Sequence, residues 1–107
     1  MGNMCSAAAR KGRLEVLKWA HEHGCPWDED TCLCAAMVGH LSTLQWLREH
    51  GCPWSVLTCT NAAAGGHLST LQWLKEHGCP WDAARVRNWA SGYPDVLRWL
   101  DEIEQHE

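Results

Sequence analysis

Apolar residues recur along the chain at helical spacing, in short runs that end at turn residues. Leu41, Leu44 and Leu47 lie three residues apart, which places them on one side of a helix, and polar residues fill the positions between them. Gly51 suits the left-handed position that ends a helix, and Pro53 prevents its continuation. This pattern predicts a short amphipathic helix that ends at a sharp turn.

A second kind of helix precedes each of these runs. It is rich in alanine, at positions 7–9, 35–36 and 62–64, so neighbouring helices can approach each other closely. Asp28, Ser55 and Asp82 stand where this helix begins, and their side chains can accept hydrogen bonds from its first turn. Helices of about ten residues are not stable alone in water, so both kinds must pack against neighbours.

The two helices belong to a unit that recurs every 27 residues. The phrase His-Gly-Cys-Pro-Trp occupies 23–27, 50–54 and 77–81. A fixed period of this length indicates stacked units. The chain is therefore predicted to be all-α, an α-solenoid of about four stacked helix-turn-helix repeats in a single domain. The predicted repeats are 1–27, 28–54, 55–81 and 82–107, of which the last is divergent and ends in a polar tail that suits a terminal cap.

Two tryptophan series follow the same period. Trp27, Trp54 and Trp81 could serve as a stacking platform for bases or sugars, but filling the gaps between repeats is the interpretation we favour. A second series is expected to lie on the flank of the stack, and consists of Trp19, Trp46, Trp73 and Trp99.

Charge and composition narrow the classes of partner. The formal net charge is −4 and no cluster of Lys or Arg occurs, so a nucleic-acid partner is not expected. No apolar run is long enough to span a membrane, and the first residues lack the apolar core of a signal peptide. Seven cysteines, an odd number without an export signal, favour a reducing intracellular compartment, the cytoplasm.

Cysteine and histidine neighbours raise the question of a metal site or a nucleophile. Cys25, Cys32 and Cys34 lie near His21 and His23 in sequence. Equivalent residues of successive repeats are separated by the helix spacing of about 8–10 Å, too far to share a zinc ion with bonds of roughly 2.0–2.3 Å. A catalytic centre needs one pocket, whereas this neighbourhood is replicated. We predict buried structural thiols, no enzyme activity, no cofactor and no metal; a metal or redox module is the weaker alternative.

The second unit resembles a known repeat. Ala35-Ala36-Met37-Val38-Gly39-His40-Leu41, followed by Leu47 and Gly51, is similar to the ankyrin repeat, and the resemblance recurs along the whole chain. The chain departs from a usual length of about 33 residues, and the missing residues fall where the family has a β-hairpin. It therefore resembles a divergent ankyrin-repeat protein, a short Gly-Cys-Pro-Trp variant without the hairpin. The resemblance implies that His40 and His67 hold the inter-helix turn through ring hydrogen bonds.

The resemblance also implies a protein-protein interaction scaffold without catalytic activity. The partner-binding residues are expected where first helices differ between repeats and do not hold the stack. The adjacent apolar residues Leu33, Met37 and Val38 of the second unit are the most informative group, although ordinary packing would also explain them. The predicted set is Arg10, Leu33, Met37, Val38, Thr60, Asn61, Ala64 and Arg87.

Self-assembly is the alternative function. The first unit keeps apolar residues as though another repeat preceded it, and these are Cys5, Leu14, Val16 and Trp19. Such an uncapped repeat can stack on another chain, either in a dimer or head to tail in a filament. The expected partner is thus an unidentified protein or another copy of this chain.

Overall fold

The computed structural model of the protein describes residues 4–105, which contain eight helices and no strand. The predicted all-α class is therefore confirmed for this part of the chain. The outermost residues of the predicted first and last repeats, 1–3 and 106–107, lie outside the described residues. The helices are α1 (Met4–Lys11), α2 (Leu14–Glu22), α3 (Glu29–Met37), α4 (Leu41–Glu49), α5 (Val56–Ala64), α6 (Leu68–Glu76), α7 (Ala83–Trp89) and α8 (Pro94–Gln105).

Consecutive helices pack in pairs, α1 with α2, α3 with α4 and α5 with α6. The first helices lie side by side in one row, because α1 packs against α3, α3 against α5, and α5 against α7. Within the described part, the molecule is elongated, with extents of 46 × 23 × 21 Å. This is the predicted α-solenoid, and the row α1, α3, α5 and α7 is called the helix-one face below.

Side-chain caps explain where the first helices begin. The side chains of Asp28, Ser55 and Asp82 each accept a hydrogen bond from the backbone N–H two residues later, at 3.0, 3.2 and 3.1 Å. Thr31 and Thr58 complete the caps, because their hydroxyls accept hydrogen bonds from the backbone N–H groups of Asp28 and Ser55. The predicted caps are confirmed, and the threonines are an addition that the sequence reasoning missed.

The turn between the paired helices is closed by a ring from the next unit. Gly39 has φ +75°, and a Cβ built on it would lie 2.5 Å from Nδ1 of His67. Nε2 of His67 donates a hydrogen bond to the carbonyl oxygen of Met37 at 3.0 Å. His67 thus holds an inter-helix turn as predicted, and the turn that it holds is that of the preceding unit. The same ring-on-glycine contact occurs for His40 on Gly12 and for Tyr93 on Gly66.

The core runs along the stack between the two rows of helices. Each second helix buries one or two leucines completely, and small residues of the first helices are fully buried as well. Cys5, Cys32 and Cys59 are among these fully buried residues, which confirms that they pack as small hydrophobes. Cys52 and Cys79 lie in the turns after α4 and α6, and their thiols donate to the backbone carbonyl oxygens of the capping residues Asp28 and Ser55, at 3.5 and 3.6 Å.

Tryptophan pairs link successive units at the flank of the stack. In each pair, the indole of a Gly-Cys-Pro-Trp turn meets an indole on the second helix of the next unit. The ring centroids lie 5.7–6.2 Å apart, in edge-on or tilted arrangements. The pairs are Trp27–Trp46, Trp54–Trp73 and Trp81–Trp99. Both tryptophan series therefore contribute to the interfaces between repeats.

Each turn indole is also covered by a side chain six residues earlier in the chain. The ring of His21 stacks on Trp27 with centroids 3.8 Å apart, and the guanidinium carbon of Arg48 lies 3.7 Å from the centroid of Trp54. Nζ of Lys75 lies 5.0 Å from the ring centroid of the equivalent indole of Trp81. These cation–π and stacking contacts occupy one face of each turn indole, so the platform that we weighed from the sequence is already covered there by the chain itself.

Candidate functional site

The predicted contact residues of α1 and α3 lie on the helix-one face. Arg10 is exposed, and its Nη2 donates to Sγ of Cys34 at 3.8 Å. Leu33, Met37 and Val38 are each half-buried, so this apolar group packs partly against the chain and leaves part of its surface accessible.

The predicted residues of α5 differ in accessibility. Thr60 is buried, and its hydroxyl donates to the carbonyl oxygen of Val56 at 3.1 Å. Asn61 is half-buried, and its amide donates to the carbonyl oxygen of Leu57 at 2.9 Å. Ala64 is half-buried. Asn61 and Ala64 are therefore available on this face, whereas Thr60 lies below its surface.

Arg87 points towards the last helix. Its Nη2 lies 2.9 Å from Oε2 of Glu104 and 3.0 Å from Oδ1 of Asp101, both on α8. The hydrogen bond to Glu104, and to a smaller extent that to Asp101, raises the pKa of the Arg87 guanidinium above its ordinary value. Arg87 thus joins α7 to α8, apart from the other predicted contact residues.

A cleft of about 450 Å³ lies between side chains of the packed helices α5 and α7 on the helix-one face. It is lined by Leu57, Thr60, Asn61, Arg85, Asn88 and Trp89, and is called the α5–α7 cleft. Leu57 is 43% exposed and Trp89 is 57% exposed. Asn88 is exposed, and Arg85 keeps its Nε 3.8 Å from a carboxylate oxygen of Asp82. The cleft therefore combines two accessible apolar side chains with amides and a guanidinium.

Two departures from the repeat supply the apolar side chains of the cleft. Trp89 occupies the position that Ala35 and Ala62 hold in the two preceding units, where both alanines are fully buried. An indole is too large for that slot, so it remains at the surface beside α5. Leu57 is a second departure, because Asp30 and Ala84 hold its position in the adjacent units. Comparing units position by position would have found both residues, which the sequence reasoning left out of its predicted set.

A second surface lies at the amino-terminal end of the stack. Met4, Glu15, Val16 and Trp19 line a shallow cleft of about 390 Å³, called the amino-terminal surface below. Trp19 is 53% exposed, and Met4 and Val16 are exposed to similar extents.

The four residues predicted for self-assembly are not all accessible there. Val16 and Trp19 belong to the amino-terminal surface, and Leu14 is half-buried. Cys5 is fully buried, and its thiol donates to the carbonyl oxygen of Cys25 at 3.8 Å. Cys5 therefore supports this end from beneath and offers no contact surface.

The cysteines are free thiols, and the pKa values of Cys5, Cys32 and Cys59 are raised by their surroundings. Burial, together with a hydrogen bond to Cys25, raises the pKa of Cys5 from 9.0 to about 12. A hydrogen bond with Cys52, and then burial, raises the pKa of Cys32 above its ordinary range. The corresponding bond between Cys59 and Cys79 raises the pKa of Cys59 and lowers that of Cys79. Buried and protonated thiols are poor nucleophiles.

Two further properties concern ligands and membranes. Within residues 4–105, no three or more His, Cys, Asp or Glu side chains are grouped so that they could hold a metal ion. None of the helices in this range has the length and apolar character required to cross a bilayer.

The helix pairs, the ring-on-glycine turns and the indole pairs define a solenoid of helix-turn-helix repeats. A family model described as ankyrin repeats (many copies) matches residues 5–48 and 32–74, which together cover more than half of the chain. The chain belongs to the ankyrin-repeat family. No curated protein matches it significantly. Ankyrin repeats are generally protein-interaction modules, so this family membership supports a binding role.

Proposed function

We propose that the chain is a non-catalytic, intracellular protein-binding module whose helix-one face, centred on the α5–α7 cleft, holds a protein partner. The observation that carries this proposal is the exposure of Leu57 and Trp89 side by side in that cleft. Tryptophan and arginine are the residue types most enriched among binding hot spots, and Arg85 lines the same cleft.

The cleft is suited to a polypeptide because its chemistry is mixed. Leu57 and Trp89 offer apolar area, and the amide of Asn88 can pair with backbone groups of a bound segment. The lining residues lie on two packed helices, so little conformational freedom is lost on binding. Arg10 and the half-buried Leu33 extend the same face towards α1 and α3.

Peptide binders selected from a random displayed library against the whole protein would test this proposal. We expect most selected peptides to bind the α5–α7 cleft, so that Trp89→Ala raises their Kd by on the order of thirtyfold or more, the effect of losing a hot-spot side chain. Trp19→Ala is the matched control, because Trp19 is exposed to a similar extent at the amino-terminal end. Peptides that bind both variants as tightly as the unchanged protein would contradict the proposal.

Self-assembly through the amino-terminal surface is a second candidate function. The specific observation that favours it is the cluster of exposed Met4, Val16 and Trp19 at one end of the stack. Exposed apolar side chains that are grouped in this way favour association. The two functions use different surfaces, so one chain can carry both.

A further inference from the structure

The α5–α7 cleft lies where two units of the chain meet. Arg85 holds the position that Thr31 and Thr58 hold in the two preceding units. The hydroxyl oxygen of Thr31 lies 3.4 Å from that of Ser6 on α1, so this side of a first helix faces the preceding unit. Trp89 lies one turn further along the same side of α7. Both walls of the cleft therefore belong to the described chain, and the cleft opens at the helix-one face.

This side of the first helix is closed in the earlier units and open in α7. Thr31 and Thr58 are fully buried between neighbouring first helices. Arg85, Asn88 and Trp89 are exposed in the cleft instead. The chain thus presents a cation, an amide and an indole to whatever enters the cleft.

Arg85 carries the only charge among the side chains that line the cleft. Its Nε lies 3.8 Å from Oδ2 of Asp82, whose other carboxylate oxygen caps α7 by accepting hydrogen bonds from backbone N–H groups at 3.1 and 3.3 Å. Within residues 4–105, the two terminal nitrogens of Arg85 form no ion pair. A carboxylate from a bound segment can therefore approach the guanidinium, whose donors match its two oxygens.

The amide of Asn88 indicates the conformation of that segment. It forms no hydrogen bond within the part of the chain that the structure describes. A side-chain amide offers both a donor and an acceptor, which match the C=O and N–H groups of a peptide backbone. A helical segment already uses these groups internally, whereas an extended segment leaves them free to bind. The lining of the cleft therefore favours an extended segment.

The spacing along α7 sets the register of the segment. Arg85 and Trp89 are four residues apart, which corresponds to about 6 Å along the helix axis. In an extended strand, alternate side chains point to the same side and lie about 6.4–6.8 Å apart. An extended segment along α7 can therefore contact both residues with side chains two positions apart. A helical segment would need side chains three or four positions apart.

We propose that the partner of the α5–α7 cleft is an extended polypeptide segment with an acidic residue and a large apolar residue two positions apart. The carboxylate binds Arg85, and the apolar side chain packs between Leu57 and Trp89. This inference rests on the proposed function, because it specifies the kind of segment that the cleft holds.

Peptides selected from a random displayed library against the whole protein test the inference. We expect those whose binding depends on Trp89 to carry Asp or Glu two positions from a large apolar residue, and to bind more weakly as salt is added. Arg85→Glu should raise their Kd by about tenfold, because it replaces attraction with repulsion. Arg85→Gln should raise it by about threefold without adding a carboxylate beside Asp82.

Arg98→Glu is the matched control, because Arg98 is an exposed arginine on α8 and lies outside the cleft. It makes the same change in net charge, and we expect it to change the Kd by less than about twofold. Circular dichroism with a thermal melt checks that each variant keeps its fold.

Three results would overturn the inference and leave the proposed function intact. The selected peptides lose binding in Trp89→Ala but share no acidic residue; they bind both Arg85 variants as tightly as the unchanged protein; or their acidic and apolar residues stand three or four positions apart and the peptides become helical on binding. If no selected peptide depends on Trp89, the proposed function fails and the inference fails with it.

Discussion

Contacts between a glycine and a ring are among the contacts that link successive repeats. Glycine is required at position 39 for two reasons. Its φ of +75° is unfavourable for other residues, and the ring of His67 fills the space that a side chain would need. Gly51 has a similar φ of +80°, but a Cβ there would meet nothing within 4 Å. Comparing the two positions therefore distinguishes the effect of the left-handed backbone from the effect of packing between repeats.

Replacing each glycine with alanine measures the two contributions. Gly51→Ala should cost about 1–2 kcal/mol of the free energy of unfolding, the cost of a left-handed backbone for an L-residue. Gly39→Ala should cost about 1–3 kcal/mol more, because its Cβ displaces the ring of His67. Urea unfolding of both variants gives the comparison, and equal losses would show that the ring contact contributes nothing.

Some properties of single residues could be predicted from the sequence and others could not. Gly39 and Gly51 were recognisable as turn glycines from their spacing, and the burial of Cys32 followed from its place in the repeat. The pairing of rings with glycines depends on the offset between successive stacked units. The sequence of one unit does not encode this offset. Trp89 lies in the repeat that the sequence marks only as divergent, because the consequence of an indole in an alanine position appears only when α5 and α7 are packed.

At the scale of helices, the local sequence explains where the first helices begin, whereas it does not explain which helices pack together. The first helices are short and begin at a polar cap, with Asp28 or Ser55 at the first position and a buried threonine three residues on. The second helices have no side-chain cap at His40 or His67, so their placement depends on packing. Removing a cap should therefore destabilise one unit and, through its neighbours, the stack.

Ser55→Ala tests the cap of α5. The variant loses the hydrogen bond from the backbone N–H of Leu57 to the serine hydroxyl, and we expect it to lower the free energy of unfolding by about 1 kcal/mol. Ser69→Ala is the control, because Ser69 is an exposed residue inside the first turn of α6, and we expect a change within about 0.5 kcal/mol. If both variants lose the same amount of the free energy of unfolding, the hydrogen bond of the cap does not stabilise α5.

At the scale of the whole molecule, stability should vary along the stack. First helices pack against the helices of adjacent units, so α3 and α5 have neighbours on both sides and α1 and α7 on one. In such a quasi-one-dimensional arrangement, units at the ends open more readily than units in the middle.

Amide hydrogen exchange measures this gradient directly. At concentrations that keep the protein monomeric, we expect α3–α6 to be protected longest and α1, α2, α7 and α8 to exchange sooner. Uniform protection of all eight helices at low concentration would instead indicate a single cooperative unit.

The ring-on-glycine contact has a consequence for how such a chain can be lengthened. A unit contributes a glycine to the unit that follows it and a ring to the unit that precedes it, and both middle units carry these two parts at equivalent positions. Tyr93 makes the same ring-on-glycine contact as the histidines, so this contact does not require an imidazole ring. Middle units can therefore be duplicated or exchanged as whole cassettes of 27 residues without redesigning their neighbours, provided that the spliced ends preserve this pairing.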